Sequence, residues 1–196
     1  MSYKLLFITF VITGSLMGQV QKIEWRPNAQ ITLEDFKPSQ CKINESTTSL
    51  FLSSGIMVDF AIQMSNIEFM FTKNFNSKVT CTFDKEVATL MAPDSLTANQ
   101  LLKLVQFDFD LSELYTRKIR RELFENKKTF SDVTFFQPYF NKMNSERNKR
   151  STEIYNSTDF GKNAFLLEKE HEKVKQEIAL LSDYCKACKP SKRKAK

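Results

Sequence analysis

One stretch, Thr97 to Asn126, runs for thirty residues without a proline or a glycine. Thr97 followed by Gln100 fits a capping box, the pattern that marks the start of a helix. Apolar residues then recur at a helical period, at Leu101, Leu104, Val105, Leu111, Leu114 or Tyr115, Ile119 and Leu123. This periodicity predicts one long amphipathic helix with a single apolar stripe, against which the rest of the chain must pack.

Asp108 falls inside that apolar stripe. A carboxylate on the buried face of a helix costs free energy unless it has hydrogen-bond partners. We expect Gln106 and Tyr115 to be those partners. Because an apolar residue would pack better at this position, Asp108 is the strongest functional clue that the helix offers.

Residues 1–18 have the pattern of a secretion signal. Lys4 gives a short positive region, Leu5 to Leu16 form an apolar run, and Gly18 is a small residue ahead of a polar stretch. The run is shorter than the roughly twenty apolar residues of a membrane anchor, and no second run of that length follows. The sequence therefore predicts a secreted or periplasmic protein without a transmembrane segment.

Residues 19–188 are expected to form a single domain, because no repeat or low-complexity linker divides them. Most of the excess positive charge lies in residues 189–196, which hold five of the 29 basic residues. Without these five and Lys4, the chain has 23 basic and 23 acidic residues. A nucleic-acid-binding domain would instead carry a basic face on its fold. We expect a disordered basic tail at 189–196 and no nucleic-acid partner, and the oligomeric state stays open.

Residues 20–94 are rich in apolar and β-branched residues that alternate with turn signals. The predicted strands are 23–25, 31–36, 50–64, 67–72, 78–83 and 87–91. Two further helices are predicted after the long one, at 133–148 and 162–187, joined by a polar connection. Strands followed by helices predict an α+β fold, with an antiparallel or mixed sheet before the helices.

The chain has four cysteines, Cys41, Cys81, Cys185 and Cys188. An even number in an exported protein predicts disulfides, and four cysteines allow three connectivities. We expect Cys41 to pair with Cys81 in the strand-rich half and Cys185 with its neighbour Cys188. Metal binding and a redox-active CxxC motif are the alternatives, although a redox motif belongs at the start of a helix rather than at its end.

Other catalytic signatures are sparse. The only histidine, His171, lies on the apolar stripe of the third predicted helix, where an imidazole is more often packed than catalytic. With four glycines in the whole chain, a phosphate-binding loop or a dinucleotide-binding fingerprint is excluded.

Three pieces of sequence together resemble a known family: IEW with ITLEDFKP near the start, SSGI in the middle, and TFDKEVATLMAPDSLTANQLLKLVQFDFDLSELYTRKIRREL. The family is a secreted one of unknown function, common in Bacteroidetes, and is predicted to contain zinc-dependent proteases. The resemblance covers most of residues 19–188 and implies a zincin-like fold. It is most specific at Leu101, Leu102, Gln106, Phe109, Asp110, Glu113, Leu114, Tyr115, Arg117 and Lys118.

The departures from the family pattern fall on its chemistry. Where the family has HExxH, this chain has Leu104, Val105 and Asp108 in place of the two histidines and the glutamate; Phe160 stands where a later motif has a further histidine. In intact members the histidines would hold zinc and the glutamate would activate the bound water. The resemblance therefore implies four vestigial site positions, no catalytic residue, no metal ligand set and no cofactor.

Three functions stay open. The first is an inactive protease-like protein that binds a peptide, a protein or an envelope component in the former cleft, between an edge strand at 87–91 and the long helix. The second is a divergent metallo-hydrolase that combines Asp108, Glu113 and His171. The third is a purely structural secreted module held by disulfides. We favour the first, because Glu113, five residues after Asp108, points away from it on a helix.

Overall fold

A computed structural model describes residues 21–47, 49–61 and 63–190 of the chain. The expected signal at 1–18 and most of the expected tail at 189–196 lie outside the described residues. Within them the architecture is α+β, as the sequence predicts, with two small sheets and one dominant helix. None of the helices in this part of the chain has the length and hydropathy needed to span a membrane.

The strands are short and the helices follow them along the chain. The strands are β1 (Lys22–Glu24), β2 (Cys41–Ile43), β3 (Phe51–Ser53), β4 (Ile56–Phe60), β5 (Val79–Asp84) and β6 (Thr89–Ala92). The α-helices are α1 (Asn66–Phe71), α2 (Ser95–Asn126), α3 (Gln137–Ser157) and α4 (Ala164–Leu180). Short 3-10 helices occur at Leu33–Asp35, Asn76–Lys78 and Ser182–Tyr184.

The six strands form two three-stranded sheets. In the first, β5 lies between β1 and β4 and is antiparallel to both. In the second, β6 lies between β2, to which it is parallel, and β3, to which it is antiparallel. The prediction of an edge strand at 87–91 is therefore wrong, since β6 is central and hydrogen-bonds on both sides. An added peptide strand cannot pair with it.

The helix α2 forms the centre of the molecule, because both sheets, α3 and α4 all pack against it. Of its 32 residues, 18 are buried, including every residue from Phe107 to Arg117. Over this span α2 is buried all round rather than on a single stripe. It begins two residues earlier than predicted, because Asp94 is the N-cap and its carboxylate accepts a hydrogen bond from the backbone N–H of Thr97 at 2.7 Å.

Several predicted elements differ from the observed ones. The segment 67–72 is not a strand but the helix α1, where the Ser65 hydroxyl accepts from the backbone N–H of Glu68. The segment 31–36 holds a 3-10 helix, and β2 is a strand that the sequence did not indicate. The helix α3 continues through the expected connection because no proline or glycine lies between Pro138 and Gly161.

Of the two predicted disulfides, one is present in the structure. Cys185 and Cys188 form a disulfide, as predicted. The expected pairing of Cys41 with Cys81 is wrong, since both are free thiols and lie in β2 and β5 of different sheets. Cys81 is fully buried, and burial raises the pKa of its thiol well above the ordinary value.

A buried ion network fixes α2 to its neighbours. Glu113 Oε1 accepts hydrogen bonds from Arg117 Nε at 2.9 Å and from Arg120 Nη1 at 3.0 Å. The two guanidinium groups also donate to the backbone carbonyl oxygens of Val79, Ile178 and Tyr184. The network therefore joins α2 to β5, to the end of α4 and to the segment before the disulfide.

We predict that Glu113→Gln lowers the free energy of unfolding by about 3–5 kcal/mol, because two buried guanidinium groups lose their carboxylate. Urea unfolding followed by circular dichroism measures the change. The matched control is Glu153→Gln, at an exposed position on α3, which should leave the unfolding midpoint unchanged. Equal losses in the two variants would contradict a stabilising network at Glu113.

Candidate functional site

The positions that the sequence resemblance assigns to zinc ligands lie together beside one turn of α2. Leu104 and Val105 are fully buried. Gly161, in the loop between α3 and α4, lies so close to α2 that a Cβ atom there would be 3.3 Å from Leu104 Cγ. The neighbouring Phe160 is 45% exposed and packs edge-on against Tyr155, with ring centroids 6.0 Å apart. The turn of α2 at Leu104 and the loop at Phe160 thus belong to one local cluster.

The loop reaches α2 through an unusual backbone conformation. Asp159, Phe160 and Gly161 all have positive φ angles, of 46°, 52° and 84°. Left-handed conformations are uncommon for residues other than glycine, and a bulky aromatic residue rarely adopts one. The Thr158 hydroxyl stabilises the turn, since it donates to the Ile154 carbonyl at 2.6 Å and accepts from the Gly161 N–H at 3.2 Å.

Asp108 lies one helical turn after Leu104 and faces α3. Its Oδ1 accepts a hydrogen bond from the Ser151 hydroxyl and its Oδ2 from the Tyr155 hydroxyl, both at 2.7 Å. The prediction that Gln106 and Tyr115 bond to Asp108 is therefore wrong. Burial raises the pKa of Asp108, although the two hydroxyl hydrogen bonds act in the opposite direction. Asp108 therefore joins α2 to α3.

The site postulated for a divergent hydrolase does not assemble. Asp108 bonds to α3, Glu113 belongs to the arginine network, and His171 pairs with a different carboxylate. Across residues 21–47, 49–61 and 63–190, no group of three or more His, Cys, Asp or Glu side chains is placed to hold a metal ion.

Asp110 forms a second polar cluster, on the side of α2 away from Asp108. Its Oδ1 accepts from the Trp25 indole N–H at 2.7 Å, and its Oδ2 lies 2.6 Å from His171 Nε2. The Gln106 amide, 3.4 Å from the same Oδ2, also binds the backbone at Ala29 and Ile31. Because a carboxylate only accepts hydrogen bonds, the proton of this contact lies on Nε2. The other ring nitrogen, Nδ1, is not used in the contact with Asp110.

A cavity of about 370 Å³ opens beside this cluster. The residues that line it include Trp25, Asn28, Gln30, His171, Lys175 and Ile178. The only tryptophan and the only histidine of the chain therefore share one cavity. Its volume lies within the range of small-ligand sites, and its lining combines apolar walls with a few polar groups, as such sites do.

Sequence reasoning missed this cluster for a physical reason. Asp110 and His171 are separated by 61 positions, and periodicity gives the face of a helix but not its partner. One pattern in the sequence does indicate a second polar cluster. Asp108 and Asp110 are two residues apart, so they project from different sides of α2. If α2 is buried all round, each of them needs its own hydrogen-bond partners.

Comparison with known proteins gives no match. No protein-family model, no curated protein and no solved structure matches this chain. Membership of the zinc-protease-like family thus stays a prediction from the sequence motifs.

We predict that Asp108→Asn gains stability relative to the wild type as the pH rises. Burial raises the pKa of Asp108 in the folded state above the ordinary carboxyl value of about 4. The wild type therefore loses stability as the pH rises and the buried carboxyl ionises, whereas the amide of the variant does not ionise. Urea unfolding at pH 4 and pH 7 measures the difference between variant and wild type.

The control for this pH series is Asp132→Asn. The Thr134 hydroxyl and backbone N–H lower the pKa of the exposed Asp132, so its stabilisation is present above the ordinary pKa and is lost as the pH falls. Its variant should therefore shift in the opposite direction. A stability difference at Asp108 that does not move toward the variant at pH 7 would contradict the pKa direction.

Proposed function

We propose that this protein is a non-catalytic relative of zinc-dependent proteases, exported through its N-terminal segment, which binds a peptide, a protein or an envelope component. The observation that carries the proposal is the proximity of three positions that the family pattern assigns to zinc ligands. Leu104, Asp108 and Phe160 surround one turn of α2, joined by the Gly161 contact and the Tyr155 ring. Phe160 follows Asp108 by 52 positions, and the contact of both residues with Tyr155 supports the proposed ligand positions.

The side chains at these positions do not support metal chemistry. Leu104 and Phe160 have no lone pair for zinc, and Val105 cannot accept a proton from a metal-bound water. Both oxygens of Asp108 already accept hydrogen bonds from α3. One carboxylate is also fewer than the three protein ligands of a catalytic zinc site. Packing and hydrogen bonds thus occupy the space in which the family pattern has its metal.

The binding function is assigned to a different face from the one first expected. Since β6 is paired on both sides, it cannot accept an added strand. The cavity beside Asp110 offers an alternative, because its lining combines His171 and Lys175 with apolar surface.

We predict that restoring the histidines restores zinc binding. The triple variant Leu104→His, Asp108→His and Phe160→His should hold about one zinc ion per molecule after dialysis, and the wild type less than about a tenth. Two imidazoles on one turn of α2 and a third from the adjacent loop would complete a ligand set. Elemental mass spectrometry measures the zinc content, and far-UV circular dichroism confirms that the variant folds.

The control places the third histidine elsewhere, as Leu104→His, Asp108→His and Phe165→His, since Phe165 is 81% exposed on α4. It should bind zinc at least about tenfold more weakly than the triple variant. If the triple variant does not fold, Asp108→His with Phe160→His leaves Leu104 in place and should still exceed the wild type in zinc affinity. Equal zinc affinity of the folded variants and the control would refute the proposed ligand positions.

A further inference from the structure

We propose that the cavity beside Asp110 and His171 binds a carboxylate attached to a small apolar group, such as the C-terminal residue of a peptide. This gives a location and a chemical class to the ligand proposed above, and it rests on that proposal only for the existence of a ligand. The cavity lies on the Asp110 side of α2, and its residues are separate from Leu104, Asp108 and Phe160.

Protein donors already satisfy the negative charge of Asp110. The Trp25 indole, the Gln106 amide and His171 Nε2 all lie within hydrogen-bonding distance of its two oxygens. A cationic ligand would therefore find no open carboxylate in the cavity. Asp110 acts instead on His171, whose imidazole it orients through the 2.6 Å contact with Nε2.

His171 offers its second nitrogen to a ligand. When protonated, the imidazole donates through Nε2 to Asp110 and through Nδ1 to a second acceptor. Hydrogen bonds from a charged donor to a carboxylate are shorter and stronger than neutral ones. An edge contact with Phe107, with ring centroids 5.9 Å apart, also restricts the ring. A pre-oriented donor binds an anion with less loss of side-chain entropy.

Lys175 adds a positive charge to the same cavity. It follows His171 by four residues on α4, so both side chains lie on one face of the helix. Its ammonium pairs with Glu172 at 2.7 Å, but both side chains are about half exposed, and such pairs contribute little. A carboxylate ligand can therefore replace Glu172 as its partner.

The remaining lining suits an apolar group next to the carboxylate. Trp25, Pro27 and Ile178 supply apolar surface, and Asn28 and Gln30 also line the cavity. If Asp110 served only to connect Trp25, α2 and α4, its hydrogen bonds would be explained. That role would not explain a cavity of about 370 Å³ that also includes Lys175.

The single histidine and the single tryptophan make the test specific. The probes are N-acetyl-leucine, which carries a carboxylate, and N-acetyl-leucinamide, which does not. We expect the acid to shift the imidazole NMR resonances of His171 and the fluorescence of Trp25 with one saturable binding curve. The amide should bind at least about tenfold more weakly, because it cannot form the charge-assisted hydrogen bond.

Matched variants assign the effect to the cavity. His171→Asn should weaken acid binding by about tenfold or more, and Lys175→Gln by about threefold, both read from Trp25 fluorescence. The control is Lys173→Gln, because Lys173 has the same exposure within one per cent and a similar glutamate pair on α4 but does not line the cavity. Equal binding of acid and amide, no binding of either, or equal effects of the two lysine variants would overturn the inference.

A longer probe identifies the source of the carboxylate. An N-acetylated pentapeptide that ends in leucine should bind more tightly than N-acetyl-leucine if the ligand is a peptide C-terminus, and more weakly if it is a free acid. Both results support a carboxylate site. Zinc uptake by the restored-histidine variant is measured independently, so failure of the scaffold proposal and failure of the carboxylate site are distinguishable.

Discussion

The ion network of Glu113, Arg117 and Arg120 is the interaction on which the rest of the structure depends. All three groups are buried within α2, where an unpaired charge would cost several kcal/mol. One carboxylate neutralises part of this charge, and the guanidinium groups satisfy carbonyl oxygens in β5, in α4 and after α4. Because these carbonyls belong to separate elements packed on α2, the network helps to set the positions of the first sheet and of α4, and thereby of His171.

The three acidic residues of the buried span have different partners. Asp108 bonds to two hydroxyl groups of α3, Asp110 to Trp25 and to His171 of α4, and Glu113 to the arginines. A helix that is apolar all round could rotate or slide among its neighbours at small cost, whereas paired polar groups define one arrangement. The cavity beside the Asp110 cluster has a volume of about 370 Å³, larger than the cavity of about 240 Å³ beside the Glu113 network.

The sequence predicted the features that depend on local pattern. Helical periodicity was sufficient for α2, strands before helices indicated the α+β class, and the spacing of Cys185 and Cys188 indicated their disulfide. Features set by long-range pairing could not be predicted. The central position of β6 depends on its two partner strands, and the partners of Asp108 lie in a part of α3 that reads as a polar connection. The pairing of Asp110 with His171 requires the packing of α4 on α2, which no local pattern contains.

The two sides of α2 have different chemical requirements. A zinc site needs three ligands at fixed distances, so loss of one ligand removes its chemistry, while Leu104 packed at Gly161 and Asp108 bonded to hydroxyls stabilise the same turn without a metal. A carboxylate site needs only one oriented imidazole and a nearby positive charge. In our proposal the scaffold therefore binds ligand on the Asp110 side without any contribution from the former metal turn. Because the two sides are separate, the proposed carboxylate site on the Asp110 side does not depend on zinc ligands at Leu104 and Asp108.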